Sequence, residues 1–121
     1  MITYAVVKPA RPYQVLEFLT AGSRSAYREW LDGLEMTVRA RIQARILRFE
    51  TGNLGDYRAV GDGVCESRVD FGPGYRVYFG FERAQVVVLL GGGDKRTQKR
   101  YIRSAKANWK NYLEVSHGKA K

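Results

Sequence analysis

Two arginines flanking a glycine–proline turn are the first residues in this sequence whose types and spacing could hold a phosphate. Val64–Asp70 and Tyr75–Phe81 each alternate apolar and polar residues about Gly72-Pro73-Gly74, the pattern of a β-hairpin. With the turn centred on Gly72–Pro73, Arg68 lies opposite Arg76 and Glu66 opposite Tyr78. Tyr75, Val77, Phe79 and Phe81 then share one side of their strand and meet the core, while Arg76 and Tyr78 face away from it. Cations directly opposite each other repel, so a hairpin shaped only for stability avoids them. A phosphate between the two turns that repulsion into binding. The competing reading is a surface ion network in which Glu66 pairs with both arginines.

Lys95 and Arg96 follow the next apolar run, at the start of a helical pattern. A cation there opposes the helix dipole unless it faces an anion, although Asp94 can cap the helix and neutralise the lysine. Other chemistry is excluded by residue type. The only histidine, His117, sits at the C-terminal tail, so no triad or histidine-based metal cluster can form. Cys65, alone, forms no internal disulfide and reads as a small packed residue. Gly91–Gly93 lacks the spacing of a nucleotide-binding loop. Neither a metal nor a cofactor is expected.

The elements that must position these groups are legible in outline. Met1–Pro12 reads as an extension, with a loose edge strand at Ile2–Val7, and Tyr13–Phe18 as a strand. Ser23 or Ser25 can cap a short helix whose Tyr27, Trp30, Leu31 and Leu34 form one stripe. Val38, Ile42, Ile46 and Phe49 repeat the pattern in a second helix that ends at Gly52–Asn53. On its flank, Arg41, Arg45 and Arg48 form a solvated or partner-binding face. Gln85–Leu90 is a central strand closed by Gly91–Gly93, and a final helix from Lys95 to about Leu113 turns Ile102, Ala105, Trp109 and Tyr112 inward. The expected fold is α+β: an N-terminal strand, a helical hairpin, a three-stranded antiparallel sheet and a C-terminal helix. Residues 1–121 are expected to form one domain, with 1–12 as its N-terminal extension.

Composition narrows the partners. With 45% hydrophobic and 12% aromatic residues the chain can bury a core. No stretch reaches the length of a membrane span, Met1–Val7 is too short for a signal peptide, and the lone cysteine fits the cytoplasm. The net charge is +9, and from Lys95 to Lys121 nine basic residues face one acid, Glu114, so nearly all of the excess lies at that end. Such asymmetry points to a polyanion or an acidic protein.

A family likeness is carried by four runs: Gly52-Asn53-Leu54-Gly55-Asp56, Gly61-Asp62-Gly63-Val64-Cys65-Glu66, Gly72-Pro73-Gly74-Tyr75-Arg76-Val77-Tyr78-Phe79 and Leu89-Leu90-Gly91-Gly92-Gly93-Asp94-Lys95. With Trp30-Leu31-Asp32-Gly33-Leu34 upstream and Gln98, Ala105 and Trp109 downstream, the chain resembles the RelE/ParE superfamily. It most resembles the phage-type addiction module killer branch called HigB-like. The resemblance implies a RelE-like fold and a toxin of a type II toxin–antitoxin system: an endoribonuclease that cleaves mRNA at the ribosome without metal, by attack of the ribose 2′-OH. It implies a transition-state role for Arg76, basic roles for Arg68 and Lys95, and a base-orienting or stacking role for Tyr78. Because Arg68 stands where some relatives use lysine and arginine stays protonated, the general base is left among Glu66, Tyr78 and Lys95. Arg96, Lys99, Arg103 and Lys106 are expected to bind RNA. A cognate antitoxin, mRNA and the ribosome are the implied partners, with DNA reached only through the antitoxin. The same superfamily includes gyrase-inhibiting ParE-like toxins, and a non-catalytic RNA-binding module is the third reading.

Overall fold

The computed structural model describes residues 13–116, so the expected strand at Ile2–Val7 and His117 lie outside the described residues. The element order is β1 (Gln14–Glu17), α1 (Ala26–Asp32), α2 (Met36–Glu50), β2 (Asp56–Gly61), β3 (Val64–Val69), β4 (Tyr75–Arg83), β5 (Val86–Asp94), a 3-10 turn (Lys95–Thr97) and α3 (Gln98–Ser116). The strands form one five-stranded sheet in the order β1-β5-β4-β3-β2. β1 runs parallel to β5, and every other pairing is antiparallel.

Local chemistry sets the boundaries. Ser25 accepts a hydrogen bond from the Arg28 amide and starts α1. Glu35 does the same for α2 through the Thr37 amide. Gly52, at φ 96°, turns the chain out of α2 in a conformation that side chains other than glycine's resist. Between β2 and β3, Asp62 and Gly63 both have positive φ, as a tight hairpin turn requires.

Strand alternation divides the molecule into two cores. Val77 and Phe79 of β4 and Val87 and Leu89 of β5 pack with Tyr27 and Leu31 of α1 and Ile42 and Phe49 of α2. The opposite face carries Val64, Tyr78, Val88 and Leu90, covered by Ala105 and Trp109 of α3. The sheet is therefore clad on both sides, and the face bearing Arg76 and Tyr78 is not open: a helix crosses it.

The architecture is a mixed α+β fold, as expected, with three corrections. β2 is an additional, exposed edge strand with no buried residue, so it has no apolar pattern in the sequence. The sheet consequently has five strands, not a three-stranded unit beside an N-terminal strand. β5 does not stop at the glycines but runs through Gly91–Gly93 to Asp94, and α3 begins at Gln98 rather than Lys95. The glycines serve close approach. A Cβ on Gly92 would collide with the Trp30 ring, and one on Gly93 would stand 2.8 Å from the Tyr101 ring.

Candidate anion-binding site

The hairpin and the start of α3 converge on one polar cluster. Arg68 stands opposite Arg76, and Glu66 opposite Tyr78, in the β3–β4 register. Glu66 is completely buried and forms the hub. Its Oε2 accepts from the Tyr78 hydroxyl at 3.1 Å and from Gln98 Nε2 at 2.8 Å. Its Oε1 accepts from Arg58 Nε at 3.1 Å. Arg76 Nε lies 3.4 Å from Oε2, an ion pair without hydrogen-bond geometry. A buried carboxylate is tolerable only with such partners, and here three donors and a cation surround it.

Arg76 is the unusual member. Its side chain is only 10% exposed, yet Nε has no hydrogen-bond acceptor. Its Nη1 donates to the Gly74 carbonyl at 3.0 Å. That carbonyl also accepts from the Lys95 amide at 3.0 Å. One turn carbonyl thus ties Arg76 to the segment that opens α3, and Lys95 itself is exposed. Around it, Lys95, Arg96, Gln98, Lys99, Arg100 and Arg103 line an open cleft of about 500 Å³. Lys95 and Gln98, joined to Arg76 through Gly74 and Glu66, both line this cationic cleft, which can receive a phosphate or another oxyanion close to the guanidinium.

Titration states follow from burial. The Tyr78 phenol is pushed well above its ordinary range by burial, and the neighbouring Glu66 carboxylate adds to the shift. It therefore stays protonated at neutral pH and acts as a donor. Burial alone would raise the Asp94 carboxyl, but hydrogen bonds from Arg96 and Thr97 outweigh it and hold the group below its ordinary range. Asp94 accepts from the Arg96 and Thr97 amides at 2.9 and 3.1 Å, and Thr97 Oγ1 accepts from the Asp94 amide at 3.2 Å, a reciprocal cap.

The residues picked out by sequence fall into three groups. Glu66 contacts both Arg76 and Tyr78, and Lys95 adjoins Arg76 through Gly74. The Tyr78 ring has no exposed surface, so the expected stacking on a base is closed to it. Glu66, equally buried and already holding its donors, is not placed to take a proton from a ligand. Arg68 lies on the same sheet face but is exposed and forks onto Asp56, with Nε at 3.1 Å and Nη2 at 2.7 Å from Oδ2. Glu66 therefore pairs with Arg76 and Arg58, not with both hairpin arginines.

Among the helix residues, Arg96 pairs with Asp94 at 3.3 Å, while Lys99 and Arg103 line the cleft. Lys106 is not brought to it: its ammonium lies 3.6 Å from Asp62, at the other end of the sheet. Gln98, Arg58 and Arg100 are site residues that the sequence reading did not select. A signal for Gln98 was available, because it continues the inward stripe Ile102, Ala105 and Trp109 at helical spacing. An amide on that stripe must find a buried partner.

Among the described residues, no three of the side chains that bind metals come together, and no helix is long and apolar enough to cross a membrane. An uncharacterized protein of Haemophilus influenzae is 47% identical over 78 residues, covering 64% of this chain and 79% of that protein. Residues 29–110 match the family described as phage derived protein Gp49-like (DUF891), a stretch that reaches from α1 into α3 and includes every residue of the polar cluster. The chain belongs to the phage-derived Gp49-like family.

Proposed function

We propose that this protein is the toxin of a toxin–antitoxin pair and acts as an endoribonuclease on mRNA at the ribosome, in the manner of RelE- and HigB-like enzymes. The single observation that carries the reading is Arg76: a guanidinium nine-tenths buried, fixed by Gly74 and Glu66, next to the Lys95 segment that lines a cleft of lysines and arginines. Membership of the Gp49-like family agrees with an addiction-module role.

In the proposed reaction the ribose 2′-oxygen attacks the adjacent phosphorus, the bond to the 5′-oxygen breaks, and a 2′,3′-cyclic phosphate and a 5′-hydroxyl result. Arg76 offsets the charge that grows on the non-bridging oxygens. Lys95 is assigned the proton delivered to the departing 5′-oxygen, because Glu66 and Tyr78 are both closed off from the surface. The 2′-proton passes to solvent. An antitoxin that neutralises the basic surface is the expected partner.

The test is primer extension on mRNA in a translating extract, with chemical detection of cyclic-phosphate ends. Arg76→Ala should reduce cleavage by about 10²–10³-fold, the usual loss for one preorganised charge. Retained cleavage and undiminished growth arrest at equal folded expression would overturn the assignment. One observation favours a second reading: the cluster's own carboxylate, Glu66, is completely buried and already holds its donors, which suits a non-catalytic RNA-binding module. Tight RNA binding with no cleavage under any condition would select it, and inhibition of gyrase supercoiling would select the ParE-like alternative.

A further inference from the structure

A second basic feature lies outside the polar cluster, in the groove between α2 and the end of the β3–β4 hairpin. It has a volume of about 380 Å³ and is lined by Arg41, Arg45 and Arg48 of α2 together with Arg68, Asp56 and Asp70. Arg41 and Arg45 are separated along the helix axis by about 6 Å, and Arg45 and Arg48 by about 4.5 Å, so the three form one row. Among the described residues, none of the three has an ion pair within 4.0 Å, although two carboxylates line the same groove. Like charges one turn apart destabilise a helix. The row is nevertheless held in place: the Arg41 guanidinium lies 4.1 Å over the Phe71 ring, and Arg45 Nη1 donates to the Arg68 carbonyl at 3.1 Å.

We propose that this groove binds the phosphate backbone of single-stranded RNA and continues the track that begins at Arg76. The proposal rests on RNA being the ligand of the Arg76 site and names the surface that holds the flanking chain. Two observations select RNA over an acidic protein. α2 covers the sheet face opposite Arg76, but Arg68, on the Arg76 face, also lines the groove, so an extended polyanion rounding the end of the hairpin would pass from one basic region to the other. The groove's apolar lining is limited to Ala44, Val69 and the Phe71 ring, and it offers little of the apolar anchor that protein interfaces concentrate at their centre. Leu19, Met36, Leu47, Tyr57 and Val115, the exposed large hydrophobics among the described residues, all lie outside it, and Phe71 is capped by Arg41. Planar guanidinium forks suit phosphate oxygens better than ammonium groups would. Asp56 is already neutralised by Arg68, and Asp70 stands exposed at the rim.

The experiment measures binding of a fluorescent single-stranded RNA made non-cleavable by 2′-O-methyl groups, across a salt series. The combined variant Arg41→Gln, Arg45→Gln, Arg48→Gln should bind about tenfold more weakly, with a log–log salt slope lower by about 2, roughly 0.7 per lost contact. Thermal unfolding checks the fold. If the combined variant does not fold, Arg48→Gln alone is read, with an expected slope change of about 0.7. An unchanged affinity and slope in a folded variant would overturn the proposal. So would a groove whose variants weaken binding of poly-glutamate but not of RNA. Cleavage of unmodified RNA is scored separately: binding through the groove without cleavage leaves this inference standing and removes the nuclease reading.

Discussion

Glu66 shows how one residue can be essential without touching a ligand. Its carboxylate, itself completely buried, holds Tyr78, Gln98 and Arg58 by hydrogen bonds and Arg76 by charge. Removing it strands the buried Arg76 cation and the buried Tyr78 hydroxyl, and leaves the half-buried Gln98 amide without its partner. Glu66→Ala should therefore cost about 3–5 kcal/mol in urea unfolding, as loss of one member of a buried ion pair does. Glu66→Gln keeps the shape and should cost less. Equal stability of Glu66→Ala and the parent would show that the cluster contributes nothing to the fold. The residue pairs were legible in the sequence because the glycine–proline turn fixes the register, and a fixed register fixes which side chains are neighbours. Their burial was not legible. Alternation tells which residues share a face but not what covers it, and α3 closes the face that the sequence left open. For that reason Arg76, read as facing away from the core, lies beneath a helix. Arg76→Ala therefore carries a stability cost as well as a chemical one, and toxicity has to be compared at equal folded concentration.

At the scale of elements, the junction from β5 to α3 positions Lys95 and Gln98 together. Asp94 makes this junction with its reciprocal cap, opposite Tyr75 at the end of the β4–β5 ladder. Its folded-state carboxyl lies below its ordinary value. The cap therefore contributes stability above the unfolded-state pKa, and that contribution is lost as pH falls through the folded-state value. Asp94→Ala should lower stability by about 1 kcal/mol near neutral pH. The gap between variant and parent should close as pH drops through the carboxylate range. A gap independent of pH would mean that the carboxylate charge has no part in the cap. Sequence spacing read this aspartate correctly as a cap but set the start of α3 three residues early, because a 3-10 turn and the first turn of an α-helix share the same capping chemistry. β2 was missed for a different reason. An edge strand with both faces largely exposed has no hydrophobic period to detect, and only its pairing with β3 defines it.

For the molecule as a whole, the decisive feature is that one sheet serves two cores, and only the α3 core adjoins the polar cluster. Trp109 anchors that helix. Its ring is 5% exposed, stacks on Tyr112 at 5.5 Å, and lies so close to β4 that a Cβ on Gly80 would stand 2.8 Å from it. β4 leaves room for the indole by carrying no side chain there, and the β2–β3 turn does the same at Gly63, where a Cβ would stand 2.6 Å from the indole nitrogen, so two glycines set the placement of α3. Gln98 sits eleven residues earlier on the same helix, about three turns or 16 Å from Trp109 along the axis. The anchor and the site are thus joined by a rigid element but are not in contact. Trp109→Ala should cost about 3–5 kcal/mol of stability, the usual loss for a buried aromatic side chain. Measured well below its unfolding midpoint, the same variant should bind non-cleavable RNA within a few-fold of the parent, because the Glu66–Gln98 hydrogen bond lies beyond the cavity. Gly80→Ala pushes the same helix outward from the sheet and should also destabilise. Urea unfolding and RNA affinity on both variants separate the two roles. A Trp109→Ala protein that stays folded but loses RNA binding would show that α3 is positioned for function from its far end, and that the two regions cannot be treated as independent.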